Sequence, residues 1–532
     1  MEITNTLYWT RLPAEIRLKI LEDVVRAAEQ DGTCVTPYAA VSSEWQAVIE
    51  AVTFRSLNFS PAPIQTRGFA TMANRGRRLG LVRHIHMSLM IPEYNCFDCE
   101  TPPANREVWY DESESLTETD RQGALAAFRL LRDWKLEDGG VSLDITVQSP
   151  SDARHHFKDM DVGTPRRATD PALPVIHDPR HGWENGRRVW LPPRHAIFRL
   201  FGSVDPWLFD LAVQRTRAVT RLVIRRQTTR RWAPEDLECL LRNCVGLKEF
   251  HYEPWMPWTV KSAASIDPGK LPTAHLCVPL YLTASDHLQL DLRYLVKRLR
   301  HAAKDLAKLV LFEDSSDAFV AAVSALPITD SVRIAAPEVA HALARSGGKL
   351  QKLEHLSAAF LVDAVDFLPA MVYELDSTEN RWGSLASLTL TSRRLTPAES
   401  AAFINGLFVE GARAAARLPA LRLLELWNGK RGGIACVFRY RAQTAVPDAP
   451  GEPARASILW RATWRVELQA RVIRAWERVA GRRRPCELRV VTEQLDPSAA
   501  RFHGDAIPLL GFEHDVVEPV SLEQIQRENR YY

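Results

Sequence analysis

Leu306-Ala307-Lys308-Leu309-Val310-Leu311 decides how the body of this chain reads, because its Leu-x-x-Leu-x-Leu spacing returns twice. It recurs at Leu385, Leu388 and Leu390, and again at Leu421, Leu424 and Leu426. Looser copies stand at Val219, Leu222, Ile224 and at Leu247, Phe250, Tyr252, while Leu353 and Leu356 begin one that has Ala358 in third place. The last three positions of each copy alternate, which is the period of a strand with one buried face. Helix-like stretches fall between the copies, over 234–243, 286–303 and 397–417. Strand, helix and strand at intervals of about 30 to 60 residues predict an α/β (or α+β) body, read as an irregular leucine-rich-repeat-like array. The spacing is uneven, and Asp314 and Arg393 stand where such repeats carry Asn. An ordinary parallel α/β sheet produces much of the same pattern; the solenoid is the favoured reading.

The first 60 residues carry a different signal. Pro13 suits the first turn of a helix, where its missing N–H costs nothing. Ile16, Ile20 and Val24 follow at i+4 spacing, with Leu21 and Val25 beside them. Beyond Gly32 and Pro37 a second stripe runs through Val41, Trp45, Val48 and Val52, and Ser43 with Gln46 fits a capping box that starts a new helix. Short helices opened by Leu12-Pro13-Ala14-Glu15-Ile16, then Ile20-Leu21, then Val41-Ser42-Ser43-Glu44-Trp45, resemble an F-box. Phe54 and Leu57 stand where that family often has Leu-Trp.

The resemblance implies that residues 1–60 form an F-box-like helical domain and that residues 61–532 form the recognition body. It implies docking onto a Skp-type linker protein and, through it, a cullin–RING ubiquitin ligase, with an unidentified protein as substrate. The residues it places in the linker groove are Leu12, Pro13, Ile16, Ile20 and Leu21, with Val41 and Trp45 from the later helix. The body also resembles a family of fungal proteins of uncharacterised function. The pieces that carry this likeness are Arg226-Gln227-Thr228-Thr229-Arg230-Arg231-Trp232, His251-Tyr252-Glu253-Pro254-Trp255, Leu353-Glu354-His355-Leu356-Ser357-Ala358 and Trp427-Asn428-Gly429. The rival reading is an α/β enzyme or small-ligand-binding protein whose N-terminal helices belong to its own core and only imitate the box.

Composition bounds the rest. A chain of 532 residues has room for large cores, and 46% hydrophobic with 25% charged residues is the balance of a soluble globular protein. No apolar run approaches the roughly 18 residues of a membrane span, and Met1-Glu2-Ile3 lacks the basic start of a secretory signal. Eight cysteines make no disulfide framework, which points to a reducing compartment, cytoplasmic or nuclear. A net charge of +3 does not argue for nucleic acid. It is unevenly placed: residues 1–60 hold five basic and eight acidic side chains.

The search for chemistry gives few candidates. Residues 151–195 are irregular, with six prolines and five histidines, and read as an insertion whose Trp183 and Trp190 pack against the body. Cys96-Phe97-Asp98-Cys99 has the spacing of a zinc half-site, with His84 and His86 as potential partners from one face of a strand. His177 and His181 around Asp178 form a second histidine cluster. The expectation is nevertheless that Cys96 and Cys99 hold no metal, and that no cofactor and no catalytic residues are present. No nucleophile elbow, Walker loop or dinucleotide fingerprint occurs. Arg226, Arg230, Arg231 and Trp232 follow a repeat strand, where an exposed loop could bind substrate. Cys239 and Cys244 read as core residues. Near the C-terminus, Ile434–Tyr440 and Ile458–Trp464 read as a β-hairpin with its tip at 445–456, followed by a helix over 466–480 and a strand over 488–491.

Overall fold

The computed structural model describes residue 9 and residues 11–31, 33–60, 78–96, 114–134, 140–160, 175–189, 192–205, 214–255, 258–260, 277–279, 285–313, 337–347, 349–376, 382–442, 454–482 and 486–528. Twelve strands form one sheet whose order is their order along the chain. They are β1 (Ser56–Phe59), β2 (His84–Met90), β3 (Val141–Gln148), β4 (Val219–Ile224), β5 (Glu249–Tyr252) and β6 (Lys308–Phe312). They continue with β7 (His355–Asp363), β8 (Ser387–Thr391), β9 (Leu423–Lys430), β10 (Ile434–Arg441), β11 (Ala454–Ala462) and β12 (Cys486–Gln494). Every pairing from β1 to β9 is parallel. Strands β9, β10 and β11 then pair antiparallel, and β11 pairs parallel with β12 at the edge. The protein is therefore a mixed α/β fold.

Register explains why the leucine copies matter. Leu222, Phe250, Leu309, Leu356, Leu388 and Leu424 are successive cross-strand partners, one per strand. The row extends backward through Leu143, Ile85 and Leu57, and forward through Tyr440 and Ile458. Leu309, Leu311, Leu388, Leu390, Leu424 and Leu426 lie in one continuous core.

Helices cover that apolar face. Beyond α1 (Ala14–Gln30), α2 (Ser43–Thr53), α3 (Glu118–Arg132) and α4 (Arg194–Phe201), six follow in the body: α5 (Pro234–Asn243), α6 (Ser285–Ala302), α7 (Pro337–Ala344), α8 (Ala364–Asp376), α9 (Ala401–Ala415) and α10 (Ala470–Ala480). Each of α5 to α10 packs against the next, so these helices make a row. The expected helices over 234–243, 286–303, 397–417 and 466–480 correspond to α5, α6, α9 and α10. The expected hairpin is β10 and β11, with 454–456 already in β11 and 445–453 of its tip outside the described residues. Gly432 and Gly433, at φ +93° and +77°, make the tight link from β9 to β10, a backbone region that side chains with a Cβ rarely adopt.

The second face of the sheet is polar toward its middle, where Arg221, Glu249, Lys308 and His355 are successive partners. Two C-terminal helices, α11 (His503–Leu510) and α12 (Pro519–Glu528), return to cover this side. A smaller apolar core seats them, built from Phe312, Phe360, Trp427 and Val437 against Ile507, Leu510, Val517 and Ile525. Glu518 bonds Arg221 and lies 2.6 Å from Nδ1 of His251. The backbone N–H of Glu518 donates to Glu253 at 2.6 Å, as does the Ser521 hydroxyl at 2.5 Å. Burial pushes the Glu253 carboxyl up, and the nearby Glu518 charge adds to this.

Two corrections concern the N-terminal segment. β1 belongs to the large sheet, so the body begins at Ser56 rather than at residue 61. The cap of α2 is Ser42, whose Oγ accepts from the Trp45 N–H at 3.3 Å, not Ser43.

Truncating the shared leucine row removes apolar volume that the fixed strand spacing cannot refill. Leu388→Ala or Leu424→Ala should cost about 2–5 kcal/mol in denaturant unfolding. The closure of the polar face should also carry a pH signature. Burial works against a charged His251 ring, but the carboxylates of Glu249 and Glu518, 3.7 and 2.6 Å from its nitrogens, outweigh it and raise its pKa above 6.5. A raised folded-state value gives stability that is complete below 6.5 and lost as pH rises through the shifted value. The stability advantage of the wild type over His251→Asn should therefore be larger at pH 5.5 than at pH 8.5 by urea midpoint. An advantage independent of pH would refute the ion pair.

Candidate functional site

Helix α1 has apolar residues on two sides, and only one side is used internally. Leu21, Val25 and Ala28 are buried, whereas Ile16 and Ile20 stand 46% and 37% exposed, with Leu18 also at 46%. Tyr38 and Val41, on the connection to α2, are 44% and 61% exposed. Half of the exposed large hydrophobic side chains among the described residues thus fall between Ile16 and Val41. Leu12 is half-buried and Pro13 exposed. Trp45 is half-buried, with its ring 6.3 Å from Trp9 and 5.9 Å from Tyr38.

The two helices are held together by polar bonds. Arg17 Nε donates to Glu44 at 2.9 Å and an Arg17 terminal nitrogen donates to the Leu12 carbonyl at 2.6 Å. Trp9 Nε1 also donates to Glu44 at 2.9 Å. These bonds hold the Glu44 carboxyl below its ordinary range. Of the residues that the F-box resemblance places in a partner's groove, Leu12, Pro13, Ile16, Ile20, Val41 and Trp45 keep exposed or half-exposed surface. Leu21, 1% exposed, does not, because it faces the interior side of α1.

The arginine loop after β4 is corrected more sharply. Arg226, Arg230, Arg231 and Trp232 are all buried, so they cannot form an exposed surface for a substrate. Arg226 pairs with Glu528 at 2.8 Å and lies 4.2 Å above the Trp255 ring. Arg230 makes a two-pronged bond to Asp152, at 2.7 and 2.9 Å. Arg231 bonds Glu313 at 3.2 Å and the Trp255 carbonyl at 2.9 Å. Arg225 pairs with Asp144. Each guanidinium joins the β4–α5 loop to a different part of the chain.

Asp152 leads to a third cluster. It lies in the expected insertion, which packs closely where it is described: Trp183 is fully buried and its Nε1 donates to the His156 carbonyl at 3.0 Å. Trp190 lies outside the described residues. The Tyr94 hydroxyl donates to Asp152 at 3.2 Å, and its ring stacks on His155 at 5.1 Å. Around that ring, Cys96, His155 and His181 bring three possible metal donors together. Cys96 Sγ is 3.7 Å from His155 Nδ1 and 3.7 Å from His181 Nε2, and the two nitrogens are 3.2 Å apart. His181 Nδ1 lies 2.7 Å from Asp178 Oδ2. Burial opposes charge on Asp178, but hydrogen bonds from Lys158 and His181 outweigh it and bring its carboxyl to about 2. Burial also lowers His155, which favours the neutral imidazole that metals bind.

The ligand set drawn from spacing alone does not assemble this way. His86 Nε2 is 3.1 Å from the Thr146 hydroxyl, and His84 sits beside Asp144 and Ser56, so both serve the sheet. Cys99 lies outside the described residues, and His177 meets the Asn185 N–H at 3.3 Å. No sequence motif links Cys96, His155 and His181. The hint was the unusual concentration of histidine in 151–195.

Residues 301–518 match a family of unknown function (DUF6546), a stretch that runs from the end of α6 through α11 to the residue before α12. No curated protein matches the chain. Among the described residues, no helix is long and apolar enough to cross a membrane.

The arginine loop supplies a direct test. Removing one partner of a buried pair leaves an uncompensated charge, so Arg230→Met should cost about 3–5 kcal/mol. Adding Asp152→Asn, which removes the charge but keeps an acceptor for the Ser149 N–H and the Tyr94 hydroxyl, should restore part of that loss in the same unfolding measurement. An exposed substrate-binding arginine would give almost no stability change.

Proposed function

We propose that this protein is a non-enzymatic substrate-recognition adaptor of a Skp–cullin–F-box ubiquitin ligase. Helices α1 and α2 dock on a Skp-type linker, and the sheet-and-helix body acts as a leucine-rich-repeat-like array that presents a protein substrate. On this reading the protein works inside the cell and contributes no catalytic residues of its own.

The observation that carries the proposal is the second apolar side of α1. An amphipathic helix ordinarily needs one stripe, directed to its own core, and Leu21, Val25 and Ala28 already supply it. Ile16 and Ile20, and Tyr38 and Val41 from the following turn, keep apolar surface that the described residues leave open. Exposed apolar groups gathered in one segment mark a docking surface. Their sequence context, Leu12-Pro13-Ala14-Glu15-Ile16 and Val41-Ser42-Ser43-Glu44-Trp45, is the one that resembles the box.

The test compares binding with stability on the same proteins. The full chain should bind a purified Skp-type linker in isothermal titration, and Ile16→Ser with Ile20→Ser should abolish binding. The side chains are 46% and 37% exposed, so the unfolding free energy should move by no more than about 1 kcal/mol for each. A wild type that binds no linker defeats the proposal. A stability loss of several kcal/mol in the variant would instead assign these residues to the protein's own core.

A further inference from the structure

We infer that Cys96, His155 and His181 form a three-residue zinc site, its fourth position left to solvent, that clamps the segments following β2 and β3 to the hairpin at Trp183–Arg188. The first argument is shape. Zinc holds thiolate sulfur at about 2.3 Å and imidazole nitrogen at about 2.0–2.1 Å in a tetrahedron, which sets donor-to-donor edges near 3.5 Å for S–N and 3.3 Å for N–N. The edges here are 3.7, 3.7 and 3.2 Å.

The second argument is the direction of protons. His181 Nδ1 lies 2.7 Å from the Asp178 carboxylate, which can only accept, so the proton of a neutral ring sits on Nδ1 and Nε2 carries a lone pair. His155 Nε2 lies 3.4 Å from the Tyr94 carbonyl, again an acceptor, and with the proton placed there its Nδ1 carries the lone pair that a cation needs. With both protons on the far nitrogens, the near nitrogens stand 3.2 Å apart beside a sulfur. Two neutral imidazoles repel in that arrangement, and a shared cation turns the repulsion into coordination. Cys96 binds as the thiolate and gives up one proton to solvent when the metal enters.

The third argument is the support around the donors. A carboxylate on the far nitrogen of a ligating histidine fixes its tautomer and orientation. Asp178 does this for His181, and Lys158 Nζ, 2.5 Å away, holds Asp178 in turn. The donors come from chain positions 59 and 26 residues apart, so a metal shared among them closes two loops. Zinc is the cation that suits one soft sulfur and two borderline nitrogens in a tetrahedral array.

Cobalt(II) is the probe. The full chain is stripped with a strong chelator, dialysed, and titrated with cobalt. The expected result is one equivalent bound, with the visible bands of a tetrahedral cobalt–thiolate site, displaced by one equivalent of zinc. Cys96→Ser and His181→Ala should lose the bands, while Asp178→Asn keeps the stoichiometry and weakens binding about ten- to a hundredfold. Absent bands, or bands that persist in both ligand variants, overturn the site. Should those variants fail to fold, the wild type decides alone: chelation must lower its melting temperature and zinc must restore it. A melting temperature indifferent to both overturns the proposal.

Discussion

A strand has two faces, and a central sheet is stable only when both are covered by chemistry that suits them. Here alternation assigns the faces strictly. Leu424 and Leu426 point to the helix row, while Glu425 and Trp427 point the other way. The same division places Phe250 and Tyr252 opposite Glu249 and His251. The helix row meets the first face with aliphatic and aromatic side chains. The second face carries charge, so it needs partners rather than oil, and the C-terminal helices bring them in Glu518, Ser521 and Glu528. The placement of residues 495–528 follows from this requirement.

The leucine side was legible because its signal is local. Six side chains at a spacing of two, with helix-period stretches between them, announce strand and helix without knowledge of what lies across the sheet. Pro13 marked a helix start for an equally local reason. The arginine loop was misread for the opposite reason. Five basic or aromatic residues within a short segment look exposed unless their partners are known, and those partners stand 302, 78 and 82 residues away for Arg226, Arg230 and Arg231. Charge in sequence says nothing about burial until the counter-charge is located.

The Cys–His–His cluster was hidden in the same way. Cys96 stood in a recognisable spacing, but the nearby His84 and His86 belong to a strand and bond within the sheet. The residues that do meet Cys96 come from a segment without period, where no pattern predicts which ring turns inward. The N-terminal helices lie between these extremes. Their existence could be read from i+4 spacing and proline, yet the division of α1 into a buried side through Leu21 and an open side through Ile16 required knowing where its neighbours sit.

The return of the C-terminus has a consequence for how the chain comes to be folded. Each strand of the large sheet pairs with the next strand of that sheet along the chain, so pairing can proceed in order as the polypeptide emerges. The closing bonds are of another kind: Glu253 with Glu518 and Ser521, Arg221 with Glu518, and Arg226 with Glu528 span 265 to 302 residues. Until the last residues are synthesised, Arg226 and Glu253 lack those partners, and the polar face stays in contact with water. During synthesis this protein therefore passes through a stage in which the sheet is laid down but one side of it is still wet. Residues 503–528 act as the fastener that dries it.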